Sequence, residues 1–163
     1  MATLRFLVCK QCGSYPARGP VFRLLHDKAR GMTRNCPICN GPTDLKLKFD
    51  FGLNAPYSEC TVKECFIPRK LQSWPEKEGS RVTFYPFLVL VHRHGKKLAV
   101  WLPYWHVVKR PKQPQYKYGQ WAPFMDTYLF SDLLQQAHTK GYLTDCFNSG
   151  AVFPCVIGMR RRK

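Results

Sequence analysis

Four cysteines set the tightest limit on what this chain can fold into. Cys9-Lys10-Gln11-Cys12-Gly13 and Cys36-Pro37-Ile38-Cys39-Asn40-Gly41 are two CxxC turns with 23 residues between them, a length that fits a hairpin. A CxxC turn places two sulfurs on one side of a tight loop. The residue after each turn, Gly13 or Asn40, tolerates the left-handed backbone that lets amide N–H groups approach those sulfurs. Two such turns complete a closed tetrahedral shell of four thiolates, which suits a structural Zn2+ and leaves no open position for chemistry at the metal.

At these motifs the chain resembles the zinc-ribbon or rubredoxin-like knuckle class, over residues 1–50 only. The resemblance implies a metal-stapled β module of a kind often found in nucleic-acid-handling machinery. Rubredoxin-type iron and redox-active CxxC pairs are the alternatives to zinc. A module of this size has little core of its own, so the metal is its expected staple, and loss of Cys36 is expected to unfold residues 1–50.

The eight cysteines would suit a disulfide framework in a secreted chain. Four of them fall in CxxC pairs, and the first residues show neither an adequate apolar stretch nor a cleavage site for export. Metal-bound thiolates in a reducing, intracellular setting are therefore expected. A second metal site at Cys60, Cys65, Cys146 and Cys155 has enough sulfurs but loose spacing, and isolated core thiols are the better expectation. The longest apolar run, Phe84 to Val91, holds eight residues, and a membrane span needs roughly twenty.

Hydrophobic patterning predicts a β-rich α+β chain. Residues 1–50 form the metal module, with strands at Leu4–Val8, at Val21–His26 and from near Met32 into Cys36, and a turn at Asp27–Gly31. Leu45, Leu47, Phe49 and Phe51 alternate with Lys46, Lys48 and Asp50, the period of a strand with one apolar face. Residues 51–80 carry Pro56, Pro68, Pro75 and Gly79 and read as an irregular connector. Residues 81–158 are expected to form a mixed sheet with one main amphipathic helix. Its central strands, 81–93 and 96–109, turn at His94-Gly95, with Pro86 and Pro103 marking bulges or strand ends. Trp101, Trp105, Phe84 and Tyr104 are expected in the core. Asp126 is the expected N-cap of the helix, Leu129, Phe130, Leu133, Leu134 and Ala137 its apolar stripe, and Gly141 its C′ residue. Ala151–Ile157 is a candidate closing strand, and residues 159–163 are a basic tail.

Charge supplies the functional reading. There are 26 Lys and Arg against 10 Asp and Glu, a net charge of +16, and the excess is spread over the whole chain. Such a surface attracts polyanions, and nucleic acid is the commonest of these inside a cell. The expected contacts are Lys109, Arg110, Lys112, Tyr116, Lys117 and Tyr118, a basic stretch read as an exposed loop whose tyrosines stack on unpaired bases, with Trp121 close behind. Arg93 and His94 at the hairpin turn, and Arg160, Arg161, Arg162 and Lys163 in the tail, are further candidates. The function that follows is a zinc-containing, DNA- or RNA-binding, non-catalytic subunit or accessory factor of a nucleoprotein complex. One alternative is a nuclease using His92, His94 or His106. Carboxylates are scarce for that: outside the first 50 residues there are Glu59, Glu64, Glu76, Glu78, Asp126, Asp132 and Asp145. A basic adaptor or inhibitor of an acidic protein is the other alternative.

Overall fold

A computed structural model describes residues 2–32, 34–49, 59–76, 79–93, 97–110, 114–119 and 125–143. Strands β1 (Ala2–Cys9), β2 (Gly13–Pro16), β3 (Thr43–Phe49), β4 (Glu59–Phe66), β7 (Leu88–Arg93) and β8 (Lys97–Trp101) make a six-stranded sheet in the order β2-β1-β3-β4-β7-β8. Strands β5 (Ser73–Pro75), β6 (Arg81–Pro86), β9 (Tyr104–Lys109) and β10 (Gln115–Tyr118) make a second sheet in the order β10-β9-β6-β5. Two helices, α1 (Val21–Ala29) and α2 (Thr127–Thr139), complete the β-rich α+β fold. Every ladder among the described residues is antiparallel, so the expected mixed sheet is corrected.

The 81–93 and 96–109 pair is one hairpin that turns a corner. Pro86 and Pro103 stand where its strands break, as expected, because neither can donate to a ladder. The Phe87 N–H donates to the Pro103 carbonyl at 2.9 Å across the corner. One half of the hairpin, β6–β9, belongs to the four-stranded sheet, and the other half, β7–β8, to the six-stranded sheet. Leu88, Val89, Leu90 and Val91 are all buried, as befits a strand covered on both faces. The apolar pattern of β8 predicts a second central strand. It lies at the sheet edge instead, with Leu98 45% and Val100 55% exposed.

Helix α1 corrects the strand expected over Val21–His26. Val21, Phe22, Leu24 and Leu25 are all buried, and their i, i+1, i+3, i+4 spacing makes one helical stripe, whereas a strand would point neighbours to opposite faces. Gly31, at φ 73°, ends the helix. Its N–H reaches the Lys28 carbonyl and the Met32 N–H reaches that of Asp27, at 3.0 and 2.9 Å, a Schellman closure. The strand expected from Met32 into Cys36 is reduced to a single bridge between Asn35 and Pro42. The stripe of α1 packs on Leu45, Leu47, Val62, Val89 and Val91 of the large sheet and on Trp105 and Val107 of the small one.

Helix α2 covers the other side. Leu133, Leu134 and Ala137 pack on Phe66, Leu88 and Leu90, while Leu129 reaches Phe84 and Tyr104. Asp126 stands at the N-cap as expected, but its carboxylate accepts from the Gln72 amide instead of capping the helix. Asp132 accepts from the Arg69 backbone N–H at 2.6 Å, and Gln136 donates to the Ile67 carbonyl at 2.8 Å, so α2 is tied to the segment after β4. That segment lies in the stretch read as an irregular connector. Within 51–80, β4 is instead a central strand pairing with β3 and β7, so the large sheet runs on past the expected module boundary at residue 50. The candidate closing strand and the basic tail lie outside the described residues.

Candidate metal centre and basic cleft

The four CxxC cysteines converge. Cys9 ends β1, Cys12 lies in the turn that leads into β2 at Gly13, and Cys36 to Asn40 form a second turn before β3. Their sulfurs all lie within 4.8 Å of one another, with Cys9 Sγ and Cys39 Sγ 3.5 Å apart. Around a tetrahedral zinc with Zn–S bonds of about 2.3 Å, neighbouring sulfurs stand ~3.8 Å apart, so only small closing movements separate these sulfurs from a metal shell. Among the described residues this is the one group of three or more His, Cys, Asp or Glu side chains close enough to hold a metal ion.

The backbone around the turns is shaped as their sequence requires. Gly13 has φ 83° and Asn40 φ 56°, the two left-handed positions expected behind the sulfurs. The Cys36 N–H donates to the Gly41 carbonyl at 2.8 Å, and the Asn40 N–H to the Cys36 carbonyl at 2.9 Å. Amide N–H groups of Cys39 and then Ile38 stabilise the Cys36 thiolate and bring that thiol down to about 6, whereas a hydrogen bond with Cys39 pushes Cys12 up to about 12. A Cβ at Gly41 would sit 3.3 Å from Cys39 Sγ and 3.9 Å from Cys9 Sγ, so glycine keeps the space behind the sulfurs open. Among the described residues the buried Tyr15 hydroxyl has no hydrogen-bond partner, and burial, then the nearby Cys36 charge, push its pKa up. Thiolates gathered on a metal would give that hydroxyl an acceptor. The residues present therefore fit a metal ion.

The other cysteines behave differently. Cys60 and Cys65 are buried in the main core, and burial pushes the Cys65 thiol far up. Cys146 and Cys155 lie outside the described residues.

The basic stretch at 109–118 is split by the structure. Gln115–Tyr118 is strand β10, not a loop, because its residues pair with Trp105–Val108 of β9. Alternation then sends Tyr116 and Tyr118 to the core side and Lys117 to the opposite face. Tyr118 packs on Trp105 with ring centroids 5.2 Å apart, an anchor more than a stacking platform. Lys109 and Arg110, both exposed, and half-buried Tyr116 line a cleft of about 510 Å3 between α1 and the small sheet. Arg23, His26 and Asp27 of α1 form the facing wall. Sequence reasoning misses Arg23 and His26 because it takes their segment for a strand. The spacing of Val21, Phe22, Leu24 and Leu25, with Gly31 two residues past Ala29, is the signal that could have found them.

Of the remaining candidates, Arg93 ends β7, while His94, Lys112, Trp121 and Arg160 to Lys163 lie outside the described residues. His92 is on β7 of the large sheet and His106 on β9 of the small one. His106 is set among Phe84, Tyr104 and Trp74. Among the described residues no helix is long and apolar enough to cross a membrane. No protein-family model, no curated protein and no solved structure matches this chain.

Proposed function

We propose that the chain is a zinc-stapled nucleic-acid-binding protein that acts as a non-catalytic, intracellular accessory factor or subunit of a nucleoprotein complex. Zinc is the metal of choice for four thiolates in a closed shell, and its role there is to hold β1, β2 and β3 together. The observation that carries the binding reading is the cleft. It draws Arg23 from α1 and Lys109 and Arg110 from the end of β9 onto facing walls, with aromatic rings between them. Cations held on rigid elements around a concavity recognise phosphate more selectively than the same charge scattered over a surface. No pairing of histidines or carboxylates in the described residues favours a hydrolytic role.

The test is the salt dependence of binding. The zinc-loaded chain should bind DNA or RNA with an affinity that falls linearly in log–log form with salt. Combined Arg23→Ala, Lys109→Ala and Arg110→Ala substitutions should lower the slope by roughly 2, since each phosphate left unneutralised removes about 0.7–0.9. No affinity at low salt, or an unchanged slope in the triple variant, refutes the proposal. A partner pull-down that survives nuclease treatment would instead point to an acidic protein.

A further inference from the structure

The cleft has a geometry that charge alone does not explain. The Phe22 ring stands at its base, with Tyr116 4.8 Å away and 31° from parallel, and His26 5.8 Å away and 23° from parallel. Tyr85 stands edge-on to both, at 88° to Phe22 and 71° to His26. Two rings at shallow angles to Phe22, with a third across them, line this part of the cleft as an aromatic slot. Phe22 is buried, while Tyr116, His26 and Tyr85 are half-buried and keep surface toward the cleft. Burial and then the neighbouring Arg30 charge lower the His26 pKa, so at neutral pH it presents an uncharged aromatic ring.

We propose that this slot takes an unpaired nucleobase, with the flanking phosphates on Arg23, Lys109 and Arg110, so that the chain selects single-stranded over double-stranded nucleic acid. The inference rests on the nucleic-acid reading above. A duplex shows base edges in its grooves and hides every base face in the stack. A single strand offers those faces, and stacking on side chains needs no particular base because each has a π-face. The cleft volume, about 510 Å3, is in the range of pockets that enclose one small ligand and is far too small for a helix of paired strands. Asp27, the one carboxylate among the described residues that line the cleft, has its charge offset by the Arg34 pair at 2.9 Å, so it leaves both the Arg23 and the Lys109–Arg110 walls open to phosphate.

The experiment compares a fluorescent 12-nucleotide oligo(dT) with a 12-base-pair duplex by anisotropy, at one salt concentration, using the full metal-loaded chain. The single strand should bind about ten-fold or more tightly than the duplex. Tyr116→Leu should cost the single strand roughly ten-fold and narrow that ratio. Tyr116→Phe, which keeps the ring, should retain the preference, and Tyr128→Leu, an exposed ring on α2, should change nothing. Circular dichroism on each variant separates lost binding from lost folding. Photocrosslinking of a 5-iodouracil oligonucleotide to the wild type, which needs no variant, should map to peptides carrying His26, Tyr85 or Tyr116. Equal affinity for both nucleic acids, or crosslinks only elsewhere, overturns the slot while leaving the nucleic-acid reading standing. Binding to neither overturns both.

Discussion

Phe22 of α1 and Tyr116 of β10 stand ring to ring at 4.8 Å, and this contact joins the N-terminal helix to the edge of the small sheet. Phe22 also meets Tyr85, Phe87 and Trp105 edge-on, at 5.1 to 5.8 Å. One side chain thus touches three strands and the corner of the bent hairpin. The same contact that closes the core forms the base of the cleft, so packing and the proposed binding surface share a residue.

Replacing Phe22 should therefore be costly. Phe22→Ala removes a buried ring and leaves a cavity among its aromatic neighbours, for an expected loss of about 3–5 kcal/mol. Urea denaturation measures it. A double-mutant cycle with Tyr116→Ala should return a coupling of about 0.5–1.5 kcal/mol, the usual range for an aromatic pair.

Gly119 should tolerate no side chain. Its N–H donates to the Tyr104 carbonyl at 3.0 Å, and a Cβ there would fall inside the Tyr104 ring. Tyr104 is itself packed against Phe84, so displacing the ring disturbs that contact. Gly119→Ala should cost about 1–3 kcal/mol through overpacking, more than the roughly 1 kcal/mol expected for Gly141→Ala at a helix C′ position. Thermal melts of the two variants side by side decide the order.

Legibility in the sequence followed the range of the forces involved. The CxxC turns, the N-cap position at Asp126 and the end of α2 at Gly141 are local, and they stand where the sequence places them. The alternation of Leu45 and Leu47 with Lys46 and Lys48 was equally plain, since only one face of β3 is covered. Helix α1 was lost because a four-residue apolar cluster is ambiguous between periods of two and 3.6. Its burial against both sheets, decided by tertiary contact, settles which period wins. Strand β4 was hidden by the prolines on either side of it, and strand β10 by its lysine. An edge strand with one solvent face carries charge as readily as a loop does. The cleft needed α1, β9 and β10 together, and no local pattern encodes that meeting.

Acid should destabilise the protein through its sheltered histidines. Burial, then the Arg30 charge, lowers the His26 pKa, and burial, then Lys117, lowers that of His106. Between the unfolded value near 6.5 and the lower folded value, the unfolded chain binds more protons than the native one, so stability rises with pH across that window. Full stability is present above about pH 7 and is lost as pH falls below about 6.5. Melting temperatures from about pH 7 down to about pH 5 should decline, and His26→Gln should flatten the decline. A slope of the opposite sign would mean that these rings gain a charged partner on folding.

Metal removal should unfold more than residues 1–50. Cys9 ends β1 in register with Thr43 of β3, and β3 pairs with β4, which pairs with β7. The CxxC turns therefore anchor one side of a continuous sheet whose face packs against α1. Structural zinc contributes about 10–16 kcal/mol in isolated finger peptides, which matches or exceeds the whole stability of an ordinary domain, about 5–15 kcal/mol. Chelation, or Cys36→Ser at a buried ligand, should lower the melting temperature by more than about 10 °C. Hydrogen exchange should then speed up at β4 and β7 amides together with those of β1 and β3. If exchange rose only before residue 50 while Leu88–Val91 stayed protected, the metal turns would be an independent module and not a clamp on the sheet.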